Sequence, residues 1–354
     1  MKIGFLINNL DLKNGWGNYS ANLISALKKE GVEAVVLSGK IGYWQAKKAF
    51  KRCEAIHCLT EPQAFLASLV AGNRPFFITA HGTYAVEPLA RGGWRGFKLR
   101  WAYKKASAVF CVSRFTQTQI KKLAPDTKTA VINNGVDFAR FQLSIEPEAQ
   151  FKELLAGRFP VILGVGAVKE RKGYHLSLAA LSVLKEKYPD LLYLIAGKTS
   201  DEQYLKRLKE LVGHYGLESN VKFITPGDEQ LVALYQAADI FLLTPVSDSV
   251  IFEGYGLVYL EAGAAGRPSV GSLNCGAEDA IIDGQTGFLV DSANEASIVR
   301  ALLKLTQDQG LREQMGRSAK DVAKQRTWDR VAEEYLKIYN KFGVILWESS
   351  DRRI

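Results

Sequence analysis

The chain has 354 residues, longer than one hydrophobic core usually serves, so two domains are the expectation. Its hydrophobic content of 47% and its 10 prolines are those of an ordinary globular protein and exclude a disordered or fibrous class. The formal charge of +9 is unevenly placed: residues 1–150 carry 21 basic and 10 acidic side chains, whereas residues 151–354 carry 25 and 27.

The four cysteines, Cys53, Cys58, Cys111 and Cys275, have no metal-ligand spacing and no disulfide framework, which points to a reducing cytoplasm. The first apolar run, residues 3–7, is broken at Asn8 and Asn9 and is too short for a secretion signal. No run approaches the roughly 18 apolar residues of a spanning helix. A cytoplasmic protein is expected.

In chain order, residues 2–7 read as a buried strand and residues 14–19 as a loop containing Gly15 and Gly17. Residues 20–29 then place Leu23, Ile24 and Leu27 on one helical face, stopping at Gly31, and residues 35–37 are the next strand. This is a βαβ unit. A G-x-G turn there could signal a dinucleotide site and an NAD-type oxidoreductase, but Ser20 occupies the third glycine position. Further strands are expected at residues 55–59, 76–80, 108–112 and 129–132, each running into a polar or glycine-containing loop. His81 follows one of these strands.

Between residues 91 and 105, Arg91, Arg95, Lys98, Arg100, Lys104 and Lys105 alternate with Trp94, Phe97 and Trp101. On a helix the three aromatics form one stripe flanked by cations. That suits contact with an anionic membrane, and it equally suits a helix that buries its aromatics. No nucleic-acid recognition motif accompanies it.

Residues 142–159 read as a linker, so the expected domains are 1–150 and 151–327, with a last helix at about 328–348. A second α/β repeat has strands at 161–165, 191–196, 221–224, 240–243 and 269–270. After the first of these comes Gly166-Ala167-Val168-Lys169-Glu170-Arg171-Lys172-Gly173, a basic turn. Helices are expected at 294–307, 311–325 and 329–342, the last with Trp328, Val331, Tyr335 and Ile338 as its packing face.

Residues 253–268 read E-G-Y-G-L-V-Y-L-E-A-G-A-A-G-R-P: a carboxylate in a loop, two glycines, a helix start and a second carboxylate, Glu261. A helix N-terminus attracts negative charge and glycine permits close approach, so the stretch suits a polar ligand. Two carboxylates would repel phosphate and are better placed to accept bonds from hydroxyls. A nucleotide sugar meets both conditions.

The E-x7-E pattern with G-L-V-x-L-E-A resembles the donor signature of retaining glycosyltransferases of family four, which have the GT-B fold. The resemblance implies an α/β protein of two Rossmann-like domains facing each other across a cleft, the last helix crossing back to the first domain. It implies that Glu253 contacts the donor sugar, Glu261 the ribose, and the backbone at Gly256, Leu257 and Val258 the sugar and phosphate. Lys172 matches the cation that binds the diphosphate. The usual arginine is Ala167 here, which leaves the second positive charge to Lys169 or Arg171.

By the same resemblance Gly15 and Gly17 would lie near the donor phosphates, and His81 near the donor sugar and attacking hydroxyl. The catalytic residues implied are His81, Lys172 and Glu253. No D-x-D triplet occurs, so no metal is expected, and no cofactor beyond the donor itself. Sugar transfer with retention from a UDP or GDP sugar to a saccharide or lipid-linked hydroxyl is implied, in polysaccharide or glycolipid synthesis. A catalytically silent member of the fold that still binds nucleotide sugars is the alternative, and Ala167 is its argument.

Overall fold

The computed structural model describes residues 1–9 and 15–344. They divide into two compact units, Met1–Gly135 together with the segment starting at Trp328, and Val136–Thr327.

The first unit contains β1 (Lys2–Ile7), α1 (Gly15–Lys29), β2 (Glu33–Ser38), α2 (Tyr43–Ala49), β3 (Ala55–Cys58), α3 (Ala64–Ala71) and β4 (Phe76–Ala80). It continues through α4 (Thr83–Arg91), α5 (Gly93–Lys105), β5 (Ala108–Cys111), α6 (Arg114–Leu123) and β6 (Thr129–Val131). The strands form one parallel sheet in the order β2-β1-β3-β4-β5-β6. Its inner strands β3, β4 and β5 are buried at every residue, as a sheet covered on both faces requires.

Handedness decides which helices lie together. From β1 the chain steps one way to β2, and from β2 onward every crossover steps the other way. Because such crossovers are right-handed, α1 lies on one face and α2 to α6 on the opposite face. The packing agrees: α2 touches α3, α3 touches α5, and α4 touches α5 and α6.

The second unit contains α7 (Ala149–Leu155), β7 (Val161–Val165), α8 (Tyr174–Lys187), β8 (Leu192–Ala196), α9 (Glu202–His214), β9 (Val221–Ile224), α10 (Asp228–Ala237) and β10 (Ile240–Leu242). It ends with α11 (Leu257–Ala264), β11 (Ser269–Ser272), α12 (Ala277–Ala280), β12 (Gly287–Val290), α13 (Glu295–Gln307) and α14 (Gln309–Gln325). Its sheet is also parallel, in the order β12-β11-β10-β7-β8-β9. The last helix, α15 (Trp328–Lys341), returns to the first unit and packs on α1. Buried polar pairs anchor it there: His57 Nδ1 and Tyr339 Oη lie 2.6 Å apart, and the Tyr335 and Tyr19 hydroxyls are hydrogen-bonded. Among the described residues no helix is long and apolar enough to cross a membrane.

Several expectations need correction. The stretch read as a loop at 14–19 is helical from Gly15, while Asn14 lies outside the described residues, as do residues 345–348 of the expected last helix. The packing face of α15 uses Tyr339 rather than Ile338, because Tyr339 reaches His57 in the core. The strand β12 adds to those expected for the second sheet: the turn Asp283-Gly284-Gln285-Thr286 leads straight into it, and its parallel pairing with β11 defines it.

The expected linker at 142–159 belongs to the second unit and contains α7. The unit boundary falls at Gly135 because the turn Ala139–Gln142 is held by α10 and α11. Gln236 Nε2 donates to the Phe141 and Leu143 carbonyls at 3.0 and 2.7 Å, and Gln142 Nε2 donates to Ala264 O at 3.0 Å.

Candidate functional site

In the second unit the chain leaves β7 through Gly166 and forms a short 3-10 turn at Glu170–Lys172 before α8 begins. The turn is pinned by Gly173, which has φ +69° and whose absent side chain would stand 1.8 Å from the carbonyl oxygen of Thr244. No other residue satisfies both conditions. Closing the turn this tightly, with the Val246 N–H donating to Arg171 O at 2.9 Å, puts Arg171 and Lys172 beside the loop that leaves β10.

That loop carries Glu253. Its Oε2 accepts from Lys172 Nζ at 2.6 Å and from Arg171 Nη1 at 3.1 Å, and Arg171 Nη1 also donates to Phe252 O at 3.1 Å. The three side chains are largely withdrawn from solvent, Glu253 to 12% exposure. Burial by itself would raise the Glu253 carboxyl; Lys172, Arg171 and Lys169 overcome it and hold the group down at about 2. Glu253 is therefore ionised at any physiological pH. Lys169 has its own pKa lowered, first by burial and then by Arg171 and Lys172. The turn thus concentrates positive charge beyond what one carboxylate offsets.

Downstream of Glu253, Gly256 adopts the left-handed conformation at φ 82°, and α11 starts at Leu257 and Val258 with no side-chain cap. A side chain at 256 would meet the Tyr259 ring at 2.5 Å. Tyr259 itself is fixed by donating to Leu243 O at 2.8 Å. One turn on, Glu261 accepts from the Tyr235 hydroxyl at 2.9 Å. Burial raises the Glu261 carboxyl above its ordinary value, and Tyr235, Arg140 and Lys172 offset only part of that rise. Lys172 therefore acts on both carboxylates.

The basic turn, Glu253, the α11 N-terminus and Glu261 form one constellation within this unit. Ala167 offers no charge there; Arg171, on the far side of the same turn, reaches the carboxylate that Lys172 holds.

In the first unit His81 stands at the end of β4, with its Nε2 at 2.8 Å from Leu59 O. A carbonyl can only accept, so Nε2 carries the proton and Nδ1 keeps its lone pair. Burial lowers the pKa of His81 to about 4, so the ring is neutral. The His81 backbone N–H donates to Glu61, and the Tyr19 ring stands edge-on to the imidazole at 4.6 Å. Gly15 and Gly17 belong to the first turn of α1, Gly15 exposed and Gly17 buried.

Sequence reasoning missed Glu61 and Tyr235. Glu61 is 5% exposed, and its Oε2 is buried without a hydrogen-bond partner among the described residues. Burial pushes its carboxyl up to about 7 against the pull of the His81 N–H. Tyr235 lies 26 residues from Glu261 on another helix, and no spacing rule connects them.

The profile described as glycosyl transferases group 1 matches residues 145–322, half of the chain, and that described as glycosyltransferase family 4 matches residues 39–140. The chain belongs to glycosyltransferase family 4. A D-inositol 3-phosphate glycosyltransferase of Salinispora arenicola is 31% identical over 86% of this chain and 67% of its own length. The corresponding protein of Corynebacterium urealyticum is 32% identical over 64% of this chain and 54% of its own. A GDP-mannose-dependent alpha-(1-6)-phosphatidylinositol monomannoside mannosyltransferase of Mycolicibacterium smegmatis is 31% identical over 70% and 65%. The chain thus spans between about half and two thirds of the length of these curated relatives.

Among solved structures, a glycosyltransferase from Rickettsia africae superposes with a TM-score of 0.82 at 19% identity over 96% of this chain and 98% of that one. Anabaena HepE in complex with UDP and glucose gives 0.79 at 18% over 96% and 100%. At such identities the likeness is one of fold, and the fold of this family 4 member is GT-B.

Proposed function

We propose that this protein transfers a sugar, with retention of anomeric configuration, from a nucleoside-diphosphate sugar to a hydroxyl of a saccharide or lipid-linked acceptor. The observation that carries the proposal is the single Glu253 oxygen shared by Lys172 and Arg171 at the mouth of α11. A diphosphate offers those two cations what the carboxylate offers them in its absence, and it also gives the N–H groups of the uncapped helix start an anion to meet. Glu253, released from the cations or shared with them, accepts from sugar hydroxyls, and Glu261, held by Tyr235, accepts from ribose hydroxyls. The complexes of Anabaena HepE with UDP and glucose and the GDP-mannose dependence named for the mycobacterial relative support a nucleotide-sugar donor of UDP or GDP type.

In the transfer, the bond between the anomeric carbon and the leaving phosphate oxygen breaks, and the acceptor oxygen bonds to that carbon on the same face. The acceptor proton passes to a leaving phosphate oxygen. Lys172, Arg171 and backbone N–H groups meet the charge that develops there, so no step calls for a metal. Neutral His81, with Nδ1 unprotonated, is suited to receive a hydrogen bond from a sugar or acceptor hydroxyl. Against the silent alternative drawn from Ala167, the reach of Arg171 to Glu253 supports a second cation supplied from the end of the same turn.

The setting proposed is polysaccharide or glycolipid synthesis at the cytoplasmic face of an anionic membrane, with α5 in peripheral contact. A thermal-shift panel of UDP, GDP and ADP sugars, run on the wild type and on Glu261→Ala, tests the donor reading. One donor class should stabilise the wild type and lose most of its effect in the variant. Equal indifference of both proteins to every donor would refute the proposal.

A further inference from the structure

The helical layer on one face of the first sheet is charged in a way the linear sequence hides. The helices α2, α3, α5 and α6 carry no aspartate or glutamate at all. The carboxylate of α4, Glu87, is held by Arg91 Nη2 at 2.8 Å. Against this stand Lys47, Lys48, Arg95, Lys98, Lys104 and Lys105. The opposite face is more nearly balanced: α1 carries only Lys28 and Lys29, while α15 mixes Asp329, Glu333 and Glu334 with Arg330 and Lys337, and Asp329 is paired with Lys29 at 3.0 Å. Polarity between two faces of one sheet comes from crossover handedness, which gathers α2 to α6 on the same side.

The same layer exposes large aromatics. Trp44 on α2 is 76% exposed, and on α5 Trp94, Phe97 and Trp101 are 67%, 52% and 44% exposed. The reason on α5 is its inner face: Gly96, Leu99, Ala102 and Tyr103 are buried, and a side chain at 96 would stand 2.4 Å from Pro88 O. With α4 that close, the stripe of bulky rings has to point outward. Trp94 and Phe97 stack with centroids 5.5 Å apart. Lys98 Nζ lies 5.1 Å from the Trp94 ring and 5.4 Å from Phe65 of α3, Lys105 lies 5.4 Å from Trp101, and Lys47 lies 5.2 Å from Trp44. Aromatic-cation sets thus recur on α2 and α5, joined through α3, where Leu69 is also exposed.

We propose that the outer surface of α2, α3 and α5 is a single bilayer-docking face, seated on anionic lipid with Trp44 and the Trp94–Trp101 stripe as two separate anchors. Amphipathic rings belong at the headgroup boundary, and cations without intervening carboxylates match anionic headgroups. Duplex nucleic acid would account for the charge but, with its bases already stacked, would leave the outward tryptophans and Leu69 without a role; single strands could stack on the tryptophans but would leave Leu69 without a partner. The inference rests on the proposed function only for the membrane as workplace; the second anchor on α2 and the one-sided charge are independent of the transfer chemistry.

The test uses the full chain and vesicles of phosphatidylcholine, with and without phosphatidylglycerol. Binding is followed by co-sedimentation and by quenching of tryptophan fluorescence with brominated acyl chains. Wild type should bind and be quenched only where phosphatidylglycerol is present. Trp44→Ser alone, and Trp94→Ser with Trp101→Ser, should each weaken binding about tenfold, and Lys98→Glu with Lys105→Glu by more than that, since each basic residue near the surface is worth about 1 kcal/mol. Binding indifferent to lipid charge, or a Trp44→Ser protein that binds as wild type does, overturns the proposal. So does full competition by duplex DNA with the tryptophan variants unaffected. Donor thermal shifts on the same preparations separate the two ideas: vesicle binding without a donor response leaves the docking face standing and removes the transfer reading, and the reverse result does the opposite.

Discussion

Replacing Glu253 by glutamine keeps the size of the side chain and removes the charge that Lys172 and Arg171 share. The carboxyl is held at about 2 against an ordinary value of 4.5. At about 1.4 kcal/mol per pKa unit that displacement corresponds to about 3 kcal/mol of net stabilisation of the ionised form. At neutral pH Glu253→Gln should therefore lower the stability of the second unit by about 3 kcal/mol, or roughly 6–12 °C in its transition for a unit of roughly two hundred residues.

The direction with pH comes from the lowered value: the contribution is complete above 4.5 and is lost as pH falls toward 2, so the difference between wild type and variant should shrink across that window. Calorimetry at neutral pH and at successive acid steps measures it. A nucleoside diphosphate should restore more stability to the variant than to the wild type, because it meets two cations left without their carboxylate. A variant that melts within a degree of wild type at neutral pH would refute the claim that this ion pair holds the turn to the loop.

Glu61→Gln keeps an acceptor for the His81 N–H while removing a buried charge. Since the folded pKa is raised to about 7, the carboxyl favours folding below 4.5 and loses that contribution as pH rises through 7. Thermal melts should show the variant more stable than wild type at pH 8, by up to about 3 kcal/mol, and no more stable at pH 4. Gly173→Ala forces a Cβ into Thr244 O with a strained backbone, and chemical denaturation should record a loss of at least about 3 kcal/mol or no folded protein. Tyr235→Phe removes the hydroxyl on Glu261; hydrogen bonds to charged groups are worth about 1.5–3 kcal/mol, so donor affinity by titration calorimetry should fall roughly ten- to a hundredfold, with Glu261→Gln abolishing any further effect of Tyr235→Phe.

Much of the fold was legible in the chain. Five-residue apolar runs such as residues 3–7 and Val161–Val165 lie in strands buried on both faces, which carry no alternation and end abruptly in glycine or polar loops. The strand Gly287–Val290 was not legible, because its glycine is required by a contact across the sheet, where a side chain would stand 2.0 Å from Ser269 O. Residues 142–159 looked like a linker on proline, glutamate and glycine, yet the side chains of Gln142 and Gln236 attach the preceding turn to the second unit. At the site, Glu253, Glu261 and the glycines between them stand within one short stretch and were visible together. Tyr235 and Glu61 were invisible, since nothing local distinguishes a buried tyrosine or a glutamate before proline until its partner is known.

By itself the sequence determined what is short-range: strand and helix identity, the glycines of tight turns, the spacing of two glutamates by a helical segment, and the excess of positive charge before residue 150. Tertiary structure alone decided that Arg171 reaches the carboxylate held by Lys172, which way the aromatics of α5 point, and on which face of the sheet the basic helices gather. Those outcomes depend on distances between segments far apart in the chain. Side-chain reach, close helix contact and crossover handedness set them, and none is a property of a residue or its neighbours in sequence.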